Sequence, residues 1–341
     1  MKITIIFDKP WSGDISPDHE DVLYQVQSVK DTLISMGHEC TELAFSSDLE
    51  AFGTRIKQET PDLVFNLVES LGGKGSLIHL APAILDTLSI PYTGSGTDAI
   101  YRTSNKLFAK EWLKVNCVST PEYFSPGDHI AGTKDIFGEY IIKSVWEHAS
   151  IGINDQSIIT PKSVSELFKE MTVRKTSLGG QCFAERYIEG REFNLSMLAD
   201  FNDPLVLPPA EIRFDSYSGG KKKIVGYDAK WDQDSFEYNN TVRTFDFPDD
   251  DLPLLQHLKE ISLKCWKLFN IRGYCRVDFR VDERNQPWVL EINANPCISP
   301  EAGFMAAAEH AGLKTEDVIR RIITDSANIQ GSKSVQNKTH I

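Results

Sequence analysis

The chain has 341 residues, 41% of them hydrophobic and 25% charged, enough to bury two or three separate cores. A net charge of −13 and a pI near 5.1 exclude nucleic acid or an anionic membrane as the main partner, and no apolar run approaches membrane-spanning length. The expected partners are small molecules, although a local basic pocket for a nucleotide is compatible with this balance.

Met1 to Asp8 is too short an apolar run for a signal peptide and reads as a first strand. A loop with Pro10, Gly13 and Pro17 follows, then a helix whose apolar face is Val22, Val26, Val29, Leu33 and Met36, with Gly37 as its C-terminal cap. Glu39 to Phe45 reads as strand, Leu49 to Ile56 as helix and Leu63 to Val68 as strand, ending in the glycine-rich Gly72-Gly73-Lys74-Gly75. This βαβαβ order predicts a parallel sheet, with ligands at the carboxyl ends of its strands. Ser76 to Leu88 is expected to be helical, as is Asn105 to Val115. Tyr140 to Lys143 is an apolar strand that delivers a lysine to the loop Glu147-His148-Ala149-Ser150-Ile151-Gly152. Backbone N–H groups of such a loop can wrap a phosphate that Lys143 neutralises, but it is not a Walker motif.

Ser163-Val164-Ser165-Glu166 is a capping-box pattern opening a helix to about Lys175. Phe183 to Glu192 reads as strand, turn, strand. The polar run Ser218 to Lys223 precedes Tyr227-Asp228-Ala229-Lys230-Trp231; its three lysines are expected to be a solvated charge run, although they could close over a nucleotide as a lid. Leu252 to Phe269 is a helix with Leu255, Leu258, Ile261, Leu263 and Trp266 inward. Short helices are expected over 302–311 and 315–323, and a disordered polar tail over 326–341. Six cysteines (Cys40, Cys117, Cys182, Cys265, Cys275, Cys297) contain no Cys-x-x-Cys pair, which points to reduced thiols in a cytoplasmic protein rather than to zinc or disulfides.

The most informative stretch is Gly273-Tyr274-Cys275-Arg276-Val277-Asp278-Phe279-Arg280-Val281, a polar turn, then Trp288-Val289-Leu290-Glu291-Ile292-Asn293-Ala294-Asn295-Pro296. Apolar residues bracket the turn, so the two halves form a β-hairpin. Asp278, Glu291 and Asn293 sit inside its apolar runs, where a carboxylate is costly unless paired or metal-bound. Three hard oxygen donors on adjacent strands suit Mg²⁺. The plainer alternative is a surface hairpin whose acids and Arg276 pair with one another.

Arg-Val-Asp-Phe followed by Leu-Glu-Ile-Asn-x-Asn-Pro resembles the metal-binding end of the ATP-grasp ligases, and most of all the D-alanine–D-alanine ligase group, as does Pro91-Tyr92-Thr93-Gly94-Ser95. The likeness runs from about Lys2 to about Gly312. It implies an α/β ATP-grasp fold: a parallel-sheet domain over 1–103, then two α+β domains over 104–184 and 185–325 that clasp ATP. Mg²⁺, or Mn²⁺ in its place, would lie on Asp278, Glu291 and Asn293. Lys106, Lys143, Ser150 and Lys230 would contact phosphates. Glu185 would accept from the adenine amino group, the backbone near Tyr187 and Ile188 would hold the base, and Glu192 would hold the ribose. Arg276 and Lys230 would serve catalysis, Arg276 by stabilising the tetrahedral oxyanion and Lys230 by reaching the γ-phosphate from the lid.

The implied reaction joins a carboxylate to an amine through an acylphosphate, with small amino acids or peptides as substrates and a homodimer left open. The departures from the family pattern concentrate in the substrate pocket. Asp8-Lys9-Pro10-Trp11-Ser12-Gly13 stands where a glycine-rich motif with an amine-binding glutamate is usual, and Glu69-Ser70 where His-Gly is usual. Ala149-Ser150 stands for two serines, Trp231 for a lid tyrosine, Cys297 for a glycine and Ala302 for a carboxylate-binding serine. Two other readings stay open: a nucleotide-binding regulator without turnover, and an enzyme acting on a peptide or protein end.

Overall fold

The computed structural model describes residues 1–8, 17–126, 136–147, 152–201 and 203–338, with backbone alone at 17–19 and 327–338. The first sheet is built by β1 (Lys2–Asp8), α1 (Pro17–Ser35), β2 (Glu39–Phe45), α2 (Leu49–Glu59) and β3 (Leu63–Asn66). Its order is β2-β1-β3, all parallel, as the βαβαβ pattern requires. Central β1 is buried on both faces: Ile3, Ile5 and Phe7 enter one core with Val26, Val29 and Leu33, while Ile6 joins Leu43, Phe52 and Ile56 on the other. Such two-sided burial explains why the strand reads as a continuous apolar run rather than an alternating one. Pro17, expected in the loop, is the first residue of α1, a position where its missing N–H costs nothing. The rest of that loop, residues 9–16, lies outside the described residues.

The expected helix over 76–88 is interrupted: a single 3-10 turn over Gly75–Leu77 precedes α3 (Leu80–Leu88). An additional helix, α4 (Thr97–Ser104), then runs up to α5 (Lys106–Val115), and Asn105 caps α5 by accepting from the Phe108 N–H. The central sheet is antiparallel. It comprises β4 (Tyr123–Phe124), β5 (Tyr140–Ser144), β6 (Ile158–Ile159) and, after α6 (Val164–Arg174), β7 (Cys182–Arg186), in the order β4-β7-β5-β6. Leu167 and Met171 of α6 cover it.

The largest sheet follows, from β8 (Arg191–Leu198), β9 (Leu205–Val206) and β10 (Ala210–Phe214). The chain continues through α7 (Asp228–Trp231), α8 (Phe236–Asn240), β11 (Thr241–Thr244), α9 (Leu252–Leu268), β12 (Tyr274–Val281) and β13 (Pro287–Asn293). Its order is β11-β10-β8-β12-β13, with β9 on β8. The buried face of α9 is Leu254, Leu255, Leu258, Ser262 and Cys265; Ile261, Leu263 and Trp266 are packed against the same core but only partly buried.

The last helices are α10 (Gly303–His310) and α11 (Thr315–Lys338). The segment expected to be disordered from residue 326 is helical as far as Lys338. Val318, Ile319, Ile322 and Ile323 anchor α11 in the β1 and α1 core, and extending an anchored helix is far easier than nucleating one. The two ends of the chain therefore share one core. Among the described residues no helix is long and apolar enough to cross a membrane.

One close approach fixes the first domain against the hairpin. Gly273 has φ +69°, and a Cβ there would lie 2.9 Å from the Cα of Gly94. Beside it the Ser95 hydroxyl donates to the Arg272 carbonyl and accepts from the Arg272 N–H, each at 3.2 Å, and Asp325 of α11 accepts from the Gly273 N–H at 2.9 Å. Gly273→Ala is expected to lower unfolding stability by about 1–3 kcal/mol, since the left-handed backbone and the contact both resist a side chain. Urea denaturation reads this; unchanged stability would show that the junction gives way freely.

Candidate active site

Antiparallel register places Asp278 directly opposite Glu291 and Arg276 opposite Asn293, with a bulge between Asp278 and Phe279. Residues two apart share a strand face, so Arg276 and Asp278 project together. The guanidinium spans the carboxylate with bonds of 2.7 and 2.9 Å, and Asn194 of β8 donates to the same Asp278 oxygen at 2.8 Å. Burial works against the Arg276 charge, but Asp278 and Glu291 hold its pKa well above the ordinary value. The Asn293 side-chain oxygen accepts from the Asn295 N–H at 3.0 Å. The pairing between Arg276 and Asp278 is real, yet the hairpin is not a surface element: Val277, Phe279, Val289 and Ile292 on its other face are buried beneath α5 and α9.

Lys106 lies across from this face. Its ammonium is 3.5 Å from Glu291 and donates to the Glu147 carbonyl at 2.8 Å. A lysine opening a helix is ordinarily solvated, but only 7% of Lys106 is exposed. One turn on, Lys110 is buried completely and pairs with Glu185, whose other oxygen takes Lys143 at 2.7 Å. Burial alone would raise the Glu185 carboxyl; Lys110 and Lys143 override it and hold the pKa below the ordinary value. Burial also pushes the Lys110 ammonium down against the pull of Glu185. Lys110 was missed by the sequence reading. The signal was available in its spacing, because Lys106, Ala109, Lys110 and Leu113 occupy the i, i+3, i+4, i+7 positions of the buried face of α5.

Glu192 faces Arg280 across β8 and β12, with a closest approach of 3.3 Å. Burial raises its pKa more than Arg280 lowers it. Arg280 also donates to the carbonyls of Gly190 and Lys223, and the Tyr187 hydroxyl reaches the same Lys223 carbonyl. The backbone N–H of Tyr187 is bonded to the Glu139 carbonyl at 2.8 Å; Ile188 follows in the hinge. Two lysines of the run expected to be solvated are instead paired: Lys221 with Asp155 and Glu237, and Lys222 with Glu139. These contacts pin the 218–223 loop over the hinge.

Lys230, in α7, is half-buried. Burial lowers its pKa, Arg276 lowers it further, and Asp278, Glu291 and Glu192 pull the other way, so Lys230 lies within electrostatic reach of the hairpin acids. Ser150 lies outside the described residues, as do His148 and Ala149. Of the remaining expected residues, Arg276, Asp278, Glu291, Asn293 and Glu192 stand on the large sheet, Lys143 and Glu185 on the central sheet and Lys106 at the start of α5, while Tyr187 and Ile188 lie in the short link between β7 and β8.

At the first domain's edge, the Cys297 thiol donates toward Asp21 at 3.1 Å and lies 3.2 Å from the Ser299 hydroxyl. Burial, then Glu69 and Asp21, keeps that thiol protonated. The Tyr274 hydroxyl donates to Asn295, whose amide donates to the Val68 carbonyl, and Gln25 accepts from the Ile298 N–H. The loop after β13 is thereby fastened to α1 and to the end of β3.

A family model described as the D-ala D-ala ligase C-terminus matches residues 139–324. The chain belongs to that family. It is 27% identical over 333 residues to the D-alanine–D-alanine ligase of Carboxydothermus hydrogenoformans, covering 95% of this chain and 97% of the relative. The crystal structure of the D-alanine–D-alanine ligase from Bacillus anthracis superposes with a TM-score of 0.73 at 19% identity, covering 98% of this chain and 99% of that one. The same enzyme complexed with ATP gives a TM-score of 0.72 at 18% identity, with the same coverage. These structures share the ATP-grasp fold with this chain.

The buried trio yields a stability prediction. Lys110→Met leaves Glu185 with one cation and is expected to cost about 3–5 kcal/mol at neutral pH. Adding Glu185→Gln should recover part of that loss. Because the folded Glu185 pKa is lowered, its contribution is present above the unfolded carboxylate range near ~4.3 and fades as pH falls through the lower folded value. The Lys110→Met deficit should therefore shrink in acid, and chemical denaturation across pH checks this. Additive single and double variants would show that the two groups are not coupled.

Proposed function

We propose that this family member uses ATP to activate a carboxylate as an acylphosphate and joins it to an amine, with substrates other than two molecules of D-alanine. The enzyme class, an ATP-dependent ligase forming carbon–nitrogen bonds, comes with the family. The observation that carries the mechanism is the convergence on one hairpin face of Asp278, Glu291 and Asn293 with Lys106, Lys230 and Arg276. Lys143 approaches from β5. Phosphoryl transfer needs positioning and charge stabilisation more than covalent chemistry, and this set of groups supplies both.

Magnesium fits the donor set, since two opposed carboxylates and an amide oxygen on one strand face are the hard ligands it takes alongside phosphate and water. When bound it would neutralise charge on the polyphosphate. Among the described residues no group of three or more His, Cys, Asp or Glu side chains stands ready to hold a metal. The third donor here is Asn293, and Asp278 is meanwhile held by Arg276 and Asn194.

Lys106 and Lys143 would bind the phosphates, and Lys230 would close on the transferred group from α7. At the hinge the Tyr187 N–H is already bonded, so a backbone contact to the base falls to Ile188. Glu185, held as a carboxylate by two lysines, would accept from the adenine amino group, and Glu192 would take the ribose hydroxyls. Arg276 would release part of its hold on Asp278 and steady the oxyanion formed as the amine attacks.

Calorimetry should detect Mg²⁺-dependent binding of ATP or ADP; no binding would end the ATP-grasp reading. Arg276→Ala should keep nucleotide affinity within a few-fold and lower kcat by roughly 10²–10³, because its contact strengthens in the transition state. Equal loss of affinity and turnover would make Arg276 a phosphate ligand or a structural residue.

The substrate end differs from the resembling ligases. Cys297 is committed to Asp21 and Ser299, the Ala302 side chain offers α10 no cap, and the buried Trp231 indole N–H has no partner among the described residues. Each polar group that a ligand buries without a partner costs roughly 1–3 kcal/mol. D-alanine alone is therefore expected to give little phosphate release, while a larger or cationic amino compound able to meet Glu69 or Trp231 gives more. A screen over pairs of amino and hydroxy acids measures this; brisk, saturable D-alanyl-D-alanine formation at millimolar D-alanine would refute it.

A further inference from the structure

Lys110 is a buried cation that the mechanism above does not use. It stands one turn after Lys106 on α5, and its side chain is 1% exposed, as is that of Glu185. Three partners from elsewhere in the chain surround it. Glu185 of β7 takes its charge, the Thr120 hydroxyl accepts from the ammonium at 2.8 Å, and the Phe183 ring centroid lies 6.0 Å away. The same Thr120 hydroxyl donates to the Val289 carbonyl at 2.8 Å, and the Ser119 carbonyl accepts from the Val289 N–H at 2.9 Å. Lys110 is thereby tied to β13, the strand of Glu291 and Asn293.

A lysine buried this deeply costs desolvation energy that apolar side chains of the same volume would avoid. Its effect lies in how three charges are divided. In the pairing of β5 with β7, Ile141 stands opposite Glu185, so Lys143, two residues on, is the diagonal neighbour of Glu185 on the same face. Lys143 reaches one Glu185 oxygen at 2.7 Å with 16% of its side chain still open, whereas Lys110 meets the other oxygen out of contact with solvent. One carboxylate between two ammoniums leaves one unit of positive charge, and the accessible group that carries it is Lys143. Without Lys110 both Glu185 oxygens would turn to Lys143, cancelling its charge and drawing the ammonium inward.

We propose that Lys110 is a positioning residue for nucleotide binding: it neutralises Glu185 from behind, so that the charge of Lys143 is left for a phosphate of the nucleotide. The proposal rests on the reading of Lys143 as a phosphate ligand. Lys110 itself touches no substrate and acts through Glu185.

The test is a double-mutant cycle over Lys110→Met and Glu185→Gln, with urea unfolding checking that each variant is folded under the assay conditions. Calorimetry reads MgADP binding, and competition against MgADP reads adenosine, which carries base and ribose without phosphate. Lys110→Met should weaken MgADP about 10- to 100-fold, the worth of one charged hydrogen bond, while adenosine changes by less than about three-fold. In the Glu185→Gln background the same lysine substitution should leave MgADP affinity within about three-fold, because no carboxylate remains to cancel Lys143. A lysine that merely supports the fold would weaken adenosine and MgADP together, or weaken MgADP equally in both backgrounds; either result overturns the proposal. If Lys110→Met alone does not fold, the Glu185→Gln background still decides, since a 10-fold or greater loss of MgADP affinity there would sink the idea. The phosphate reading of Lys143 fails separately, by Lys143→Ala leaving MgADP binding intact.

Discussion

Two carboxylates held directly opposite each other in an antiparallel pair repel, and much of the central architecture answers that repulsion. Asp278 and Glu291 are fixed as neighbours by the register of β12 and β13, which cannot slip by one residue without carrying Val277, Phe279 and Ile292 out of the core. The cations must therefore come to the acids. Arg276 arrives from the same strand, Lys106 from the first turn of α5 and Lys230 from α7, while Asn194 supplies a neutral donor from β8. A second centre, Glu185 between Lys110 and Lys143, repeats the arrangement deeper in the protein. Helix α5 contributes a lysine to each centre, so its placement couples the central sheet to the hairpin.

The strands of this chain were legible because period-2 alternation and two-sided burial leave direct marks in sequence. The β1 run, the hairpin and the Lys143 strand match the structure nearly to the residue, and so do the strand positions of Asp278, Glu291 and Asn293. Resemblance then ordered them into an ATP-grasp fold. The hidden features depend on partners far away in the chain. Arg280 reads as an apolar-strand interruption until β8 places Glu192 opposite it. Lys110 looks solvated until α5 is seen to bury that face. The helix α4 escaped notice because Thr97 to Ser104 has polar residues on every turn, and only Ala99, Ile100, Thr103 and Ser104 go inward. The tail failed in the opposite direction, since its composition said disorder while its anchoring by Ile319 and Ile322 did not show as a long periodic pattern.

The same contrast separates the two ends of the candidate site. Its hairpin acids, Lys143 and Lys106 are carried by strands and by the start of one helix, where backbone geometry dictates which side chains converge. The residues that depart from the family pattern lie largely on loops: the stretch after β3 and the residues between Asn293 and α10. There a residue's neighbours are decided by domain contacts, such as Cys297 with Asp21 and Ile298 with Gln25. A loop fastened to α1 moves only with the first domain, and the Gly273 and Gly94 contact ties that domain to the beginning of β12. The loop after β13 is thus mechanically linked to the seating of the first domain, whereas the hairpin acids sit on a sheet whose register is independently fixed. Exchanging loop residues could redirect the substrate without disturbing the charged hairpin face, which is the pattern its sequence shows: an intact set of acids and lysines beside an altered pocket.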